Sequence, residues 1–405
     1  MGQPWKTDKW FVSSWNYLDE VRAGFDFPKK IKIHDVTLRD GEQQAGMDLG
    51  KDHKLRIAEK LAEVGVHRIE AGMPAVSRQD EAAIREIVKR KLGPEIFAFC
   101  RCVEEDVKRA ADCGVDGVIV EIPSSRHLIR YAYQWPIERA IEASIKATQY
   151  AKQLGLYTTF FTIDASREDM DWLLGLIEKV ARDGHMDSLA LVDTMGVCIP
   201  QAIGYFTRRV REHIKKPLEA HFHNDMGLGV ANTITALANG ASVAHTTVCG
   251  MGERSGNAAM EEVAIALLTL YGVDLGLRVD KLRALAKVVL DITGHTIARN
   301  KAVVGEDLYT IESGIVAAWQ AVCEGESATE VFPLHWELMG HDPPKIMLGK
   351  GSGRPSVEYW LKKLGIEANP EQIERLLILV KDESLKKKGL LTEAEFRRLV
   401  DHVVR

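Results

Sequence analysis

No C-x-x-C pair and no framework spacing occur among the six cysteines, Cys100, Cys102, Cys113, Cys198, Cys249 and Cys323, so reduced thiols rather than disulfides are expected. No stretch approaches the roughly 18 apolar residues that a membrane helix needs. The start of the chain is polar and aromatic, without the apolar core of about 7–15 residues found in a signal peptide. A cytoplasmic protein is the expectation. Charge of one sign is also scarce. The formal net charge is -5 over 405 residues, and no dense Lys/Arg block precedes the tail, which argues against nucleic acid or an anionic membrane as a partner. A small-molecule substrate is expected instead.

Hydrophobic residues make up 46% of the chain and charged residues 27%, the balance of a globular protein with a sizeable core. Because 405 residues exceed the span of about 250–300 that one core covers, a large domain with a smaller appendage is predicted. From Lys30 onward, short β-branched runs at 31–36, 66–71, 96–100, 117–122, 157–163, 188–192, 218–223 and 242–248 alternate with amphipathic stretches. The clearest of these stretches is 52–64, where Leu55, Ile57, Ala58, Leu61, Ala62 and Val64 form one apolar stripe. Eight strand-helix units favour a closed parallel barrel over an open doubly wound sheet, and no G-x-G-x-x-G follows the first strand. The predicted fold is therefore α/β, a (β/α)8 TIM barrel followed by a small, mostly helical C-terminal region. Residues 1–29 read as an N-terminal arm, 30–275 as the barrel and 276–405 as a post-barrel linker and helical subdomain. That last part ends in helices at 369–388 and 392–404, with a capping box from Thr392 to Glu395. The run Lys386-Lys387-Lys388 reads as a solvated helix end.

A parallel barrel binds ligands at the carboxyl ends of its strands, which singles out three segments. The first strand runs into Thr37-Leu38-Arg39-Asp40-Gly41-Glu42-Gln43, a cationic fork beside a carboxylate. The seventh ends in His221-Phe222-His223-Asn224-Asp225, and the eighth is followed by a glycine-rich turn containing Glu253, Arg254 and Asn257. The period of two puts His221 and His223 on one face, where two imidazoles and a carboxylate suit a divalent cation; two strand histidines satisfied by hydrogen bonds are the alternative. Arg39 is either paired to Glu42 or Glu70 as a structural ion pair, or aimed where an enolate or alkoxide oxygen gains charge.

Together these segments resemble the DRE-TIM metallolyase superfamily. Residues 37–43 are similar to its first-strand signature, Ile69-Glu70-Ala71-Gly72 to its second, Asp193-Thr194-Met195-Gly196 to its sixth, and 221–225 to its H-x-H-N-D metal motif. Residues 252–262 resemble the form found in isopropylmalate, homocitrate and citramalate synthases, and 348–354 resembles the L-G-K-x-S-G-R stretch that follows their barrels. The likeness covers about residues 30–365. It implies that Asp40, His221, His223 and Asn257 hold a divalent cation (Mg, Mn or Zn), that Arg39 and Glu70 serve the reacting centre, and that Gln43, Ser166 and Thr194 contact substrate. It further implies a Claisen-type condensation of an acyl-CoA, acetyl-CoA foremost, with a 2-oxo acid, in a homodimer. A retro-aldol or retro-Claisen lyase is the alternative, and a metal-binding paralogue without activity a third.

The chain also departs from the synthase pattern. The H-x-x-G-I-H stretch of the synthases is replaced by Ile311-Glu312-Ser313-Gly314-Ile315-Val316, so both histidines are missing, and Glu312, His295 or His335 is left as the substitute base. Cys249 stands near the position of a mobile-loop cysteine in 3-hydroxy-3-methylglutaryl-CoA lyase and reads either as catalytic or as a small buried thiol. Asp164 occupies the place of an arginine that receives the second carboxylate of 2-oxoglutarate, which predicts a 2-oxo acid with a neutral side chain. Too few residues follow Arg354 for a leucine-sensing domain, so leucine feedback is not expected.

Overall fold

The computed structural model describes residues 3–323 and 327–404. Eight parallel strands follow one another around a closed barrel: β1 (Lys32–Asp35), β2 (Arg68–Glu70), β3 (Glu95–Arg101), β4 (Gly117–Pro123), β5 (Tyr157–Ile163), β6 (Ser188–Asp193), β7 (Leu218–Phe222) and β8 (Val243–Thr246). Closure is made by β1 against β8, with Lys32 opposite Val243 and Asp35 opposite Thr246. The eight-stranded parallel barrel read from the sequence is the one observed. The last strand is shorter than the predicted 242–248, because the Val248 amide leaves the ladder and donates to Thr37 Oγ1 at 2.9 Å.

Between the strands lie α1 (Lys51–Val64), α2 (Arg78–Arg90), α3 (Glu104–Asp112), α4 (Ile137–Gln153), α5 (Met170–Asp183), α6 (Pro200–His213) and α7 (Gly229–Ala238), followed by α8 (Met260–Ala266) and α9 (Leu282–Thr293). Their ends carry the expected signals. Gly65 closes α1 in the left-handed conformation (φ +89°), and the side chains of Ser77 and Asp169 cap α2 and α5. Inside the barrel the alternation of side chains puts Phe97, Phe99, Ile119, Phe161, Ala190 and Val192 into one apolar cluster. Nearer the amino ends is a polar layer, in which Arg68 Nη1 donates to Glu219 Oε1 at 2.9 Å and Ser188 Oγ to the same oxygen at 2.7 Å.

The chain divides into two compact units, 15–296 and 1–14 with 297–405. The second has a parallel pair, β9 (Thr310–Ile311) and β10 (Lys345–Ile346), and helices α10 (Gly314–Cys323), α11 (Arg354–Leu364), α12 (Pro370–Lys387) and α13 (Glu393–Val403). The last three pack around Trp360, Leu376, Val380 and Phe396. The capping box of Thr392 and Glu395 is present, and Lys386 and Lys387 reach Glu383 and Glu395 at the surface. The glycine-rich stretch after β10 has a packing reason. A Cβ on Gly314 would lie 2.5 Å from Gly353 Cα, so two backbones touch where the sequence has glycine.

Candidate metal centre

After β1 the chain curls so that the amides of Arg39, Asp40 and Gly41 all point at the Val36 carbonyl. This tight turn lifts Arg39 and Asp40 over the barrel mouth. His221 projects inward from β7, and His223, just beyond it, bridges to Asn257 in the turn after β8. The three elements meet at one carboxylate. Asp40 Oδ2 lies 3.2 Å from His221 Nε2 and 3.8 Å from His223 Nε2, and Asn257 Nδ2 donates to Asp40 Oδ1 at 3.0 Å. Asp40, His221 and His223 are all buried.

Burial opposes ionisation of Asp40, yet Arg39, His221 and His223 hold its carboxyl well below the usual range. Burial likewise pushes His221 down to about 3 and lowers His223, against the pull of Asp40. The site therefore has two neutral imidazoles, each with a lone pair, beside an ionised carboxylate. That donor set fits a divalent cation. A second buried group, His34, Glu219 and His245, is less suited to one. Its imidazoles stack at 4.4 Å with 15° between planes, so their lone pairs run in parallel planes instead of converging, and Arg68 and Ser188 occupy Glu219 Oε1. It extends the first group inward: His245 Nδ1 is 3.2 Å from His221 Nδ1, and His245 Nε2 is 2.7 Å from Glu219 Oε2.

Arg39 is held on two sides. Its Nε pairs with Glu70, and its Nη1 donates to Asp40 at 2.9 Å and Gln43 at 3.3 Å, while the guanidinium lies 4.0 Å over the Phe99 ring. Burial would raise the Glu70 carboxyl, but Arg39 and His34 bring it to about 2. Arg39 Nη2 has no partner among the described residues, a buried donor left free. A cavity of about 190 Å³ is lined by Arg39, Asp40, Gln43, Thr194, His221 and His223, with Phe99, Phe161, Ile163 and Val192 as its apolar walls.

The HMGL-like family model matches residues 30–289, the whole barrel. The chain belongs to the HMGL-like family. The resemblance to DRE-TIM metallolyases read from the motifs is thus borne out, as is its synthase branch. A homocitrate synthase of Methanothermobacter thermautotrophicus is 37% identical, over 96% of this chain and 97% of that protein. A 2-isopropylmalate synthase of Methanocaldococcus jannaschii is also 37% identical, over 96% of this chain and 74% of its own length. Among solved structures, the HMG-CoA lyase of Bacillus subtilis superposes with a TM-score of 0.61 at 22% identity, over 68% of this chain and 98% of that one, a likeness of fold.

Other residues singled out in this HMGL-like chain fall elsewhere. Ser166 Oγ donates to Asp193 Oδ1 at 2.6 Å, and Thr194 Oγ1, at the cavity wall, accepts from the Asp164 amide. Cys249 is buried in a left-handed turn (φ 58°), its amide donating to Glu261. Glu312 belongs to the second unit, where its carboxylate accepts the Gly351 amide at 2.8 Å. Asp164 is buried. Arg167 and Ser125 donate to its carboxylate, and His127 Nε2 lies 2.9 Å from it. Sequence reasoning missed Glu121 on β4, which lines the same cavity, and the pair Glu219 and His245. The period of two along β7 was the available signal for Glu219, since it shares a face with His221.

Proposed function

We propose that this chain is a divalent-metal-dependent acyltransferase that condenses an acyl-CoA, acetyl-CoA foremost, with a 2-oxo acid. The observation that carries it is the free Nη2 of Arg39, fixed by Glu70 and Asp40 beside two neutral imidazoles and an ionised carboxylate. The synthase names of relatives 37% identical over nearly the whole chain support the same reading.

In this proposal Asp40, His221 and His223 hold the cation, Mg, Mn or Zn, with Asn257 adding its amide oxygen, since its nitrogen is engaged by Asp40. When bound, such a cation supplies a Lewis acid for the carboxylate and keto oxygens of the 2-oxo acid. Arg39 Nη2 donates to the oxygen on which charge develops, and Glu70 keeps the guanidinium from turning away. Gln43, whose Oε1 receives Arg39, offers its amide nitrogen to substrate; Thr194 offers its hydroxyl from the opposite wall. Ser166 acts at one remove, by orienting Asp193. The apolar walls exclude water from the reacting carbons.

A homodimer belongs to the same proposal. On α10, Ile315, Trp319 and Val322 make an exposed apolar face, 66%, 55% and 84% accessible, that a second copy would cover. Light scattering that returns the mass of one chain at working concentration removes this part. Among the described residues no helix is long and apolar enough to cross a membrane; a cytoplasmic location is proposed with the rest.

The direct assay is thiol release from acyl-CoAs across a panel of 2-oxo acids, with each metal. Release that needs both substrates and is absent in Asp40→Ala supports the synthase. If no pair gives release, the reading falls, and cleavage of 3-hydroxyacyl-CoA thioesters becomes the next assay.

A further inference from the structure

We propose that Glu121 is the base that removes the proton from the acyl-CoA carbon that becomes the nucleophile. This role rests on the synthase reading and fills the vacancy left by the two missing post-barrel histidines.

Glu121 lies near the carboxyl end of β4, two residues after Ile119, so the strand's alternation points it into the barrel. There it lines the cavity that holds Arg39, Asp40, His221 and His223. Its Oε2 is buried and has no hydrogen-bond partner among the described residues. The buried carboxylates beside it are committed, Asp40 to Arg39, the imidazoles and Asn257, and Glu70 to Arg39 and His34, while Glu253, which also lines the cavity, is exposed. A buried acceptor left without a donor costs free energy, and it persists where a ligand completes it. The backbone beneath is pinned, because the Glu121 carbonyl accepts the Cys102 amide at 3.1 Å.

The surroundings suit proton removal. Burial pushes the Glu121 carboxyl up to about 7, with Arg39 and Arg101 opposing and Asp106 reinforcing the rise. Arg101 is itself bound to Asp106 at 2.7 Å, which leaves Arg39 as the main counter-charge; Tyr133 also faces the carboxyl, and the remaining ionisable groups of the cavity are Glu253 and Arg254 on the turn after β8. A base poised near neutral pH abstracts a carbon-bound proton most effectively.

The step balances without a further reagent. The C–H bond breaks, its electron pair forms the enolate double bond as the thioester oxygen takes the charge, and the proton passes to Glu121 Oε2. The enolate carbon bonds to the keto carbon, the keto oxygen becomes an alkoxide beside Arg39 Nη2, and the proton held by Glu121 quenches it. Water then cleaves the thioester and releases the thiol.

The test uses the full chain with its metal and the substrate pair that gives thiol release. Glu121→Gln keeps the shape and removes the base; kcat falls about 10²–10⁴-fold, with KM for the 2-oxo acid and calorimetric metal affinity unchanged. In deuterium oxide the wild type also washes label into the α-carbon of the acyl-CoA, and the variant does not. If the Gln variant melts early, Glu121→Asp replaces it, with slowed exchange and unchanged metal affinity expected. Full rate and exchange in the variant, or a change confined to KM, overturns the role of Glu121 while the synthase reading stands. No thiol release by the wild type with any pair removes both.

Discussion

His221 and His245 meet nitrogen to nitrogen, Nδ1 to Nδ1 at 3.2 Å, in the closed interior of the barrel. One must donate and the other accept. Glu219 decides which. Although burial opposes it, His245 and Arg68 hold the Glu219 carboxyl far below its ordinary value, so it accepts from His245 Nε2 at 2.7 Å. The His245 tautomer that carries its proton on Nε2 offers a lone pair at Nδ1, and His221 donates to it there. The lone pair of His221 is thereby left on Nε2, the nitrogen that faces Asp40.

Removing this control should weaken metal binding without touching a ligand. His245→Phe is expected to lower divalent-cation affinity by about 10–100-fold, the usual effect of losing a partner that orients a ligating histidine. Calorimetric titration of the metal-free protein measures it. Affinity equal to that of the wild type would show that the tautomer of His221 is set by something else.

Arg39 should be needed for both rate and fold, in separable ways. Arg39→Ala removes the free donor and is expected to cost about 10²–10³ in kcat. It also strands Glu70 as an uncompensated buried charge, with a stability loss of about 3–5 kcal/mol. Adding Glu70→Gln should return much of the stability and none of the rate. Urea unfolding and steady-state kinetics on the single and double variants check this, and joint recovery of both properties would contradict it.

Glu70 also predicts how stability depends on pH. Its folded value of about 2 lies below the ordinary 4.5, so the folded chain holds this proton less tightly than the unfolded chain. Its contribution, on the order of 3 kcal/mol, is present above pH 4.5 and is lost as pH falls through 2. In Glu70→Gln the slope of unfolding free energy against pH should flatten across that window. A slope that matches the wild type assigns the acid loss to other carboxylates.

The turn after β8 offers a test by a single methyl group. Gly252 has φ +152°, and a Cβ there would lie 2.3 Å from Asn257 Nδ2 and 3.1 Å from Asp40 Oδ1. Gly252→Ala should therefore displace Asn257 and impair metal binding, while circular dichroism stays that of the barrel. Undiminished affinity would show that the turn yields without disturbing the site.

What the sequence disclosed followed from strict local periodicity. Strand alternation and the stripe in α1 were enough for the eight-stranded barrel, and the spacing of His221 and His223 placed both rings over one face. Residues whose meaning depends on distant partners were illegible. Glu121 sits in Val-Ile-Val-Glu-Ile-Pro, a run that reads as an ordinary strand, and only the folded barrel brings it into one cavity with Phe99 of β3 and Phe161 of β5. The partners of Asp164 were illegible for the same reason, since Ser125 and His127 come from the loop after β4.

Lys54 of α1 is 1% exposed, and its ammonium group binds Glu42 in the turn after β1, Asp80 of α2 and the Leu38 carbonyl. An ammonium so enclosed has no water to fall back on if any of the three contacts opens, so the turn after β1 and the start of α2 form one stiff jaw. Arg39 and Asp40 ride on that jaw. Any widening of the mouth to admit a bulkier oxo acid has to come from a part of the rim other than this jaw.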